Sequence, residues 1–588
     1  MCGIYGITTR DPEYINKFID RCDYRGPDGR DVWTSDTITL GHNLLSIMDT
    51  PENSRQPWTT EKSVLVYNGE IFNINELKDK YKTNFKALTN CDTELLSWGL
   101  QNIGIDFIDE LDSMHGFAYY DKIKKHLILS VDHAGIKPLY YAFIKEGLVF
   151  GSEIKGLLER VPNSNIINPM AVKALELIGV NPLRETFFTN IMKVLPGETI
   201  RYDLESKRII DTKRILVRPM SNHRFLQDEY RQAWSKAVES TLIGERKIGA
   251  LLSGGLDSTT LAYEAQKYAS NISYFTQRHF PSVSRMDEDY DSDWLSAKQF
   301  AKHYGLDLSV CTTTPKDYTE NFNDSVYYFE EPVYNSSMAS YLHITKHMKD
   351  NGITVALQGT LGDELLCGYP RHWQLQGKKF ESWSDLVNQN LLGYIRDPIP
   401  LDKNLPSKND VLNEMLSILP EQDLYNPDDP CASFQMLQCL VYGSEEYFRL
   451  SDKFGMLNSI ETRFPFATKK FMQYAMSVPS KEKMSSKDLR KTMPRLAYKI
   501  TLPEYIINKS KTGWDGPAHN WIDERTNKEL SRKYYQSLQK NNHIPHWNTR
   551  SWIDQYGMTA QHNPKPDDVK GQPRSEIWTR GDRSFYDI

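Results

Sequence analysis

Cys2 directly follows the first methionine in the opening "MCGIYGI", and removal of Met1 would place a thiol and a free α-amino group on one residue. An α-amine titrates near a pH of about 8, so part of it is unprotonated in a cell and can accept the thiol proton, directly or through water. One residue could then supply both nucleophile and base. The alternative is an ordinary cysteine in second position, because most cysteines are not activated.

A nucleophile that attacks an acyl carbon needs donors for the oxyanion, and the segment "YNGEIFN" offers two. Asn68 carries a side-chain amide, and Gly69 has a backbone N–H that no side chain shields. A hairpin turn is the commoner meaning of an Asn-Gly pair. The segment alone therefore leaves both interpretations open.

The segment "GALLSGGLDSTT" predicts a binding loop for an anion. An apolar strand over 249–252 leads into a glycine-rich turn over 253–258, and a helix follows. Paired glycines let backbone N–H groups turn toward one point, and the N-terminus of the helix adds positive potential. The segment lacks the lysine of a Walker loop, so transfer of a γ-phosphate is not implied. A purely structural turn is the alternative.

Two acidic residues follow a second buried strand in "VALQGTLGDELLCGY". Asp363 and Glu364 fall at the carboxyl end of that strand, where open α/β sheets bind ligands. Asp257 of the glycine-rich turn and Asp363 could together hold Mg²⁺ on a pyrophosphate, because this ion prefers hard oxygen ligands.

These two groups of residues need two kinds of scaffold to position them. The first third of the chain alternates short β-type runs with turns, which predicts a layered, mostly antiparallel α+β domain over 1–205. From about residue 225, long helical segments alternate with short apolar strands, which predicts a parallel α/β domain over 225–530. Residues 531–588 are predicted to form a polar C-terminal extension.

Composition narrows the class of partner. The chain is 39% hydrophobic and 25% charged with a formal net charge of −6, which predicts a globular protein and argues against nucleic acid as its main partner. Seven cysteines without a CxxC pair predict a reduced, cytoplasmic protein with no structural zinc. No apolar run suggests a signal peptide or a membrane span. The partners expected are small molecules, and a homodimer is left open.

The first domain resembles the glutaminase domains of class II glutamine amidotransferases. The segments that carry the resemblance are "MCGI", "YRGPDG", "GHNLLSIMD", "YNGEIFN" and "CDTE", in the order found in that family. The resemblance implies that Cys2 attacks the side-chain amide of glutamine, that Asn68 and Gly69 form the oxyanion hole, and that ammonia is released. It implies that Glu70 and Asp92 hold the α-amino group of glutamine. The full set of glutamine-binding positions that it implies is Arg25, Leu44, Leu45, Ser46, Ile47, Met48, Asn68, Gly69, Glu70 and Asp92.

One position departs from the family pattern. The family usually reads G-H-x-R-L-S-I, with an arginine that grips the α-carboxylate of glutamine, and Leu44 stands in its place. Loss of a bidentate contact of this kind should weaken binding by a few kcal/mol. Arg55 could reach the same carboxylate from the next loop, with an ordinary surface arginine as the alternative.

The second domain resembles the asparagine synthetases. The S-G-G-x-D-S loop is similar to that of enzymes that split ATP between its α and β phosphates, and "RLSDKFGMLNSIETRFPF" and "LPEYIINKSKTGW" resemble the C-terminal motifs of asparagine synthetases. By position, Lys491 would stabilise charge as the adenylate forms, with a solvated helix lysine as the alternative. The ATP-binding positions implied are Leu252, Ser253, Gly254, Gly255, Asp257, Ser258, Thr276, Gln358 and Gly359.

A second departure lies in the adenylation motif. The family reads S-G-[ED]-G-x-D-E, and Thr360 replaces the acidic residue, so no carboxylate is available there as a base. The resemblance implies an ATP- and Mg²⁺-dependent amidotransferase with aspartate as the favoured acceptor. The rivals are an enzyme that amidates another carboxylate and a non-catalytic or regulatory protein on this scaffold. A β-lactam-forming cyclase is disfavoured, because such an enzyme does not need a glutaminase.

Overall fold

A computed structural model describes residues 2–219, 223–280, 284–285, 288–289, 292–335, 337–392 and 406–510, together with 552, 555–556 and 558. Within these ranges, no helix combines the length and the apolar character that crossing a membrane requires.

The N-terminal domain consists of two antiparallel six-stranded sheets. Its strands are β1 (Gly3–Ile7), β2 (Gly29–Thr34), β3 (Thr39–Leu44), β4 (Trp58–Thr59), β5 (Ser63–Ile71), β6 (Ser113–Asp121), β7 (His126–Val131), β8 (Tyr140–Ile144), β9 (Gly147–Gly151), β10 (Met192–Lys193), β11 (Glu198–Asp203) and β12 (Arg208–Arg214). Its helices are α1 (Pro12–Arg21), α2 (Ile74–Lys80), α3 (Asp92–Asn102), α4 (Ile154–Leu157) and α5 (Pro169–Ile178). The strand orders are β10-β8-β9-β1-β3-β2 and β12-β11-β7-β6-β5-β4.

Alternation along β5 shows how the layers form. Val64 and Val66 pack with Ile4 and Leu40 of the other sheet, while Leu65 and Tyr67 face the opposite way, toward the helix layer that includes α3. Because successive strand side chains point to opposite faces, this largely buried strand is apolar on both sides over residues 64–67. The domain is therefore a layered α+β sandwich, as the sequence predicts.

The second domain is built on a parallel five-stranded sheet of order β17-β14-β13-β18-β19, with a separate two-stranded sheet, β15-β16. Its strands are β13 (Ile248–Leu251), β14 (Ser273–His279), β15 (Ser284–Arg285), β16 (Glu288–Asp289), β17 (Leu308–Thr313), β18 (Val355–Leu357) and β19 (Glu461–Arg463). The helices preceding β18 are α6 (Gln227–Ser240), α7 (Leu256–Tyr268), α8 (Ser292–Tyr304), α9 (Pro315–Phe329) and α10 (Met338–Asp350). The helices following it are α11 (Gly362–Leu365), α12 (Pro370–Gln374), α13 (Trp383–Asn390), α14 (Lys408–Ile418), α15 (Glu421–Leu424), α16 (Pro430–Gln438), α17 (Arg449–Leu457), α18 (Lys469–Ser477), α19 (Ser480–Lys483), α20 (Thr492–Ala497) and α21 (Glu504–Ile507). The parallel α/β class predicted from the sequence is thus confirmed.

The two domains meet through buried ion pairs. Arg25 lies between Glu153 of its own domain, at 2.6 Å, and Asp452 of α17, at 2.9 Å. Lys453 reaches Glu153 at 2.6 Å, and both of these side chains are almost completely buried. Removing one partner of such a pair leaves an uncompensated charge inside the protein, so the pairs fix how the domains dock.

Two predicted boundaries differ from the observed elements. Strand β12 continues the second sheet to Arg214, so the predicted end at 205 falls inside the sheet. Most of the predicted polar extension lies outside the described residues, but Trp552 is fully buried. Its ring packs against Phe187 and Phe188, and its Nε1 donates to the backbone oxygen of Glu330 at 2.6 Å. Trp552 therefore belongs to the core.

Candidate active sites

The two sheets of the first domain bring Cys2 against β5. The backbone nitrogen of Cys2 donates to Asn68 Oδ1 at 2.9 Å, and Arg25 Nε donates to the Cys2 carbonyl at 3.1 Å. Cys2 is only 6% exposed. Both backbone polar atoms of Cys2 are thus hydrogen-bonded, and these two bonds restrain the direction of its side chain.

Opposing effects act on the Cys2 thiol. Burial raises its pKa, and the negative charges of Glu461 and Asp92 raise it further. The positive N-terminus lowers the pKa, and so does a hydrogen bond from the backbone amide of Leu45. Because burial prevails, the thiol needs a base at hand to become a nucleophile.

Asn68, one of the two predicted oxyanion donors, contacts the Cys2 backbone, and Gly69 follows it on β5. Asn68 accepts through Oδ1, which leaves its Nδ2 group, buried and without a hydrogen-bond partner among the described residues, available to an incoming oxyanion. A Cβ on Gly69 would lie 2.3 Å from the Met114 oxygen and 2.9 Å from His115 Cα. Only glycine fits there, and the pair lies inside β5 rather than in a hairpin turn.

The two acidic residues predicted to hold an α-amino group lie deep in the same region. Asp92 Oδ2 accepts from Tyr67 Oη at 2.9 Å and from the Ile71 amide at 3.1 Å. Burial raises the pKa of Asp92 to about 6 despite these bonds. Glu70 Oε2 pairs with Arg463 at 2.9 Å, while Glu70 Oε1 has no hydrogen-bond partner in the described parts of the chain. Burial and the charge of Asp92 raise the pKa of Glu70 well above its usual range.

The segment after β3 continues the predicted glutamine pocket and is held by the second domain. Arg246 donates to the Ser46 carbonyl and to Asp28, both at 2.7 Å, and the Glu245 amide donates to the Ile47 carbonyl at 3.0 Å. Asp28 also accepts from the Ser46 amide at 2.9 Å. The remaining predicted positions of this segment, Leu44, Leu45 and Met48, are apolar; Leu44 and Leu45 are buried, and Met48 packs beside α3.

Arg55 does not join this site. Its side chain is 72% exposed and pairs with Asp31 at 2.9 Å on the surface. In this structure Arg55 therefore does not replace the missing arginine. Leu44, which occupies the position of that arginine, lies opposite Gly29 on β2.

The glycine-rich turn between β13 and α7 has the geometry of an anion loop. Gly254 has φ of +76°, and a Cβ there would lie 2.5 Å from the backbone nitrogen of Ala297. Ser258 Oγ accepts from the Ser253 amide at 3.2 Å and donates to the Gly255 carbonyl at 3.2 Å. Helix α7 starts directly after Gly255, so its N-terminal dipole faces the turn.

The two predicted metal-binding aspartates meet at one lysine. Lys491 Nζ lies 2.5 Å from Asp257 Oδ2 and also pairs with Asp363. Burial lowers the pKa of Lys491, but the two carboxylates outweigh it and raise the pKa above the usual value. Among the described residues no group of three or more metal ligands occurs, yet two carboxylates beside an anion loop suit Mg²⁺ that takes its other ligands from phosphate and water.

The remaining predicted ATP positions line the carboxyl ends of the same strands. Leu252 and Thr276 are buried, the latter within β14. Ser451 Oγ donates to Gln358 Oε1 at 3.2 Å, and the Gln358 side chain also bonds Tyr341, so both polar atoms of this side chain already have partners. A Cβ on Gly359 would lie 3.3 Å from Asp257 Cβ, which brings this turn close to the anion loop. Thr360 is half-buried in the turn before α11.

Glu364 occupies the interior beside this site. Tyr369 Oη donates to its Oε1 at 2.6 Å. Burial, together with the charge of Asp363, raises the pKa of Glu364 to about 7. A buried carboxyl that titrates near neutrality can exchange protons during a reaction.

Four residues near the two sites were missed by sequence reasoning: Glu461, Arg463, Lys509 and Arg246. Lys509 Nζ lies 2.7 Å from Asp293 and 3.5 Å from the Gly254 carbonyl of the anion loop. Lys509 lies within "LPEYIINKSKTGW", and Glu461 and Arg463 lie within "RLSDKFGMLNSIETRFPF". The motifs therefore contained these three residues, although nothing in them indicated a role for each residue. Their roles depend on contacts with distant segments.

An N-terminal nucleophile domain joined to a parallel α/β domain with a pyrophosphate-type loop defines a glutamine amidotransferase class of enzyme. The sequence model of the glutamine amidotransferase domain matches residues 1–213, and that of asparagine synthase matches residues 229–579. The chain belongs to the asparagine synthase family. Membership of this family supports glutamine-dependent, ATP-driven amide transfer.

Individual relatives cover most of the chain at low identity. Asparagine synthetase [glutamine-hydrolyzing] 1 of Bacillus subtilis (strain 168) is 25% identical over 92% of this chain and 91% of its own. Asparagine synthetase B [glutamine-hydrolyzing] of Escherichia coli (strain K12) is 25% identical over 89% and 84%. The amidase chry2 of Gibberella zeae is 23% identical over 90% and 91%.

Proposed function

We propose that this protein uses ATP and glutamine to convert aspartate into asparagine, with glutamate, AMP and pyrophosphate as the other products. The observation that carries the proposal is the contact of Cys2 with Asn68, whose own amide N–H group is left available in the buried pocket. A chain that had lost glutamine hydrolysis would have no need to keep a costly buried donor without a partner.

In the first half-reaction the Cys2 thiol passes its proton to the α-amino group and the sulfur attacks the side-chain carbonyl carbon of glutamine. The oxyanion that forms accepts from Asn68 Nδ2 and the Gly69 amide. The C–N bond then breaks, and the proton held by the α-ammonium goes to the departing ammonia. Water hydrolyses the resulting thioester to glutamate and restores the thiol.

In the second half-reaction a carboxylate oxygen of the acceptor attacks the α-phosphorus of ATP, and pyrophosphate leaves. The glycine-rich turn and Lys491 face the negative charge that builds up on the phosphates. Asp257 and Asp363 are the residues that would hold Mg²⁺, which would supply positive charge for the pyrophosphate. Ammonia from the first site then attacks the acyl carbon of the adenylate, and AMP leaves.

Two observations support a second candidate function, in which the acceptor is not aspartate. Thr360 supplies no carboxylate where the family pattern has one, and the relatives include an amidase as well as asparagine synthetases. The second candidate is therefore the same reaction sequence with a carboxylate other than aspartate. A non-catalytic role remains the third, motivated by Leu44 and Thr360 together.

The test measures pyrophosphate release by the full-length protein with ATP and Mg²⁺, using aspartate and a panel of other carboxylic acids, each with glutamine or ammonium as nitrogen source. We expect aspartate to support release and asparagine to form with either source. The variant Cys2→Ala should retain the ammonium reaction and lose the glutamine reaction. Release with another acid but none with aspartate favours the rival, and no release with any acid favours the non-catalytic role.

A further inference from the structure

A second lysine contacts the glycine-rich turn, from the segment that follows α21. Lys509 Nζ lies 2.7 Å from Asp293 Oδ1 and 3.5 Å from the Gly254 carbonyl oxygen. Asp293 belongs to the first turn of α8, and its carbonyl oxygen would lie 2.7 Å from a Cβ on Gly254. Ser296 Oγ, also on α8, donates to the Gly254 carbonyl at 3.0 Å. Lys509 therefore lies where the start of α8 packs against the anion loop.

Arg495 on α20 fixes the main chain of the segment that carries this lysine. Its Nη2 donates to the Lys509 carbonyl at 2.9 Å, and its Nη1 donates to the Ile507 carbonyl. Its Nε donates to the carbonyl of Arg490 at 2.8 Å. Because Lys491 directly precedes α20, this short helix positions both lysines at the same turn.

The two lysines differ in the ion pairs that they form. Lys491 lies between Asp257 and Asp363, the two residues that would hold Mg²⁺. Lys509 pairs with Asp293, and the two side chains are 14% and 22% exposed. An ion pair that water can reach contributes little free energy, so an anion of higher charge can compete with the Asp293 carboxylate for the lysine.

We propose that Lys509 is a pyrophosphate-binding residue of the second site: when ATP binds, its ammonium group exchanges the Asp293 carboxylate for an oxygen of the β- or γ-phosphate. The proposal rests on the function proposed above, which brings ATP to the glycine-rich turn. A lysine ammonium is a compact charge on a flexible stem, so it can turn from one acceptor to the other. Asp293 holds the lysine beside the turn before ATP binds and takes it back when pyrophosphate leaves.

The experiment measures binding of ATP with Mg²⁺ to the full-length protein by calorimetry, with inorganic pyrophosphate and Mg²⁺ as a second probe. Lys509→Met should bind both probes about tenfold more weakly, because one hydrogen bond to a charged group is lost. Lys509→Arg keeps the positive charge and should lose less affinity than the methionine variant. The matched control is Lys499→Met, which removes an exposed lysine shortly after α20 and should bind both probes like the unaltered protein.

The variant Asp293→Asn separates phosphate binding from a role in supporting the loop. If Lys509 only joined α8 to the turn through Asp293, loss of either side chain would weaken binding of the two probes to the same extent. We expect the two variants to act in opposite directions. Asp293→Asn should bind both probes about two- to fivefold more tightly, since the competing carboxylate is gone.

Urea unfolding of each variant shows whether it is folded. Equal losses of affinity in Lys509→Met and Asp293→Asn, or an unchanged affinity in a folded Lys509→Met protein, overturn the proposal while the proposed function stands. If the unaltered protein binds neither ATP nor pyrophosphate, the proposed function fails instead and this role fails with it.

Discussion

Arg463 and Glu70 come from different domains and meet in a completely buried ion pair, with Arg463 Nη2 2.9 Å from Glu70 Oε2. The backbone oxygen of the same arginine accepts from the Gln358 amide at 3.0 Å, at the carboxyl end of β18. One residue thus touches the predicted glutamine pocket through its side chain and the predicted nucleotide site through its main chain. The edge strand β19 thus links the two predicted sites directly.

Arg463→Met should destabilise the protein strongly, because it leaves Glu70 and Glu461 buried without their cation. We expect the free energy of unfolding in urea to fall by about 3–5 kcal/mol. The double variant Glu70→Gln/Arg463→Met should recover part of the loss, since one of the stranded charges is gone. The exposed Arg55→Met serves as control and should change stability little. Equal losses in the single and double variants would mean that the pair is not coupled.

Leu44→Arg should tighten glutamine binding, because it returns a guanidinium to the position where the family grips the α-carboxylate. Gly29, which lies opposite, has no side chain and leaves room for the longer residue. A gain of one charged hydrogen-bonded pair predicts a KM for glutamine about tenfold lower. Leu44→Met is the control of similar volume and should leave KM unchanged. A folded arginine variant with an unaltered KM would show that the carboxylate is bound elsewhere.

Lys491→Met should abolish adenylation and spare glutamine hydrolysis. Without the lysine, Asp257 and Asp363 repel both each other and the phosphates, so ATP-dependent pyrophosphate release should fall by at least about 100-fold. Glutamine hydrolysis at Cys2 should stay within about twofold, because the lysine lies in the other domain. The exposed Lys487→Met on the same segment should affect neither activity. A parallel loss of both activities in Lys491→Met would point to misfolding.

Glu364→Gln should stabilise the protein relative to the unaltered chain, and this gain in the free energy of unfolding should be larger at alkaline than at acidic pH. The folded pKa of Glu364, about 7, lies above its unfolded value of about 4.3, so stability is lost as pH rises between these values and the loss is complete above 7. Glutamine has no charge to bury. Urea unfolding at pH 5 and pH 8 should show the advantage of the variant growing by about 1–3 kcal/mol. The exposed Glu381→Gln is the control, and a difference independent of pH would contradict the expectation.

Local patterns predicted much of the fold. The alternation that builds β5 and the apolar runs that build β13 and β18 each lie within a few residues of sequence, and each is dictated by which faces are buried. The grouping of Cys2 with Asn68 was predicted from the ordered segments of the first domain, and that of Asp257 with Asp363 from a glycine-rich turn and the end of a buried strand.

What sequence reasoning missed depends on contacts between distant segments. Glu70 and Arg463 are separated by 393 positions, and no periodicity in either segment indicates that they meet. Arg25 appeared to belong to the first domain alone, whereas one of its two carboxylate partners, Asp452, belongs to the second. Trp552 lies in a stretch of mostly polar composition, which gives no indication that its ring is buried.

This burial bears on the order in which the molecule is made. Trp552 is synthesised long after Phe187 and Glu330, the residues on which it rests. Because domains fold from the N-terminus as they emerge from the ribosome, the apolar surface around these residues stays uncovered, as an apolar seam, until Trp552 has been synthesised and packs on it. A chain that stops short of this residue would carry both domains and still present that seam to the proteases and chaperones that sort unfinished proteins.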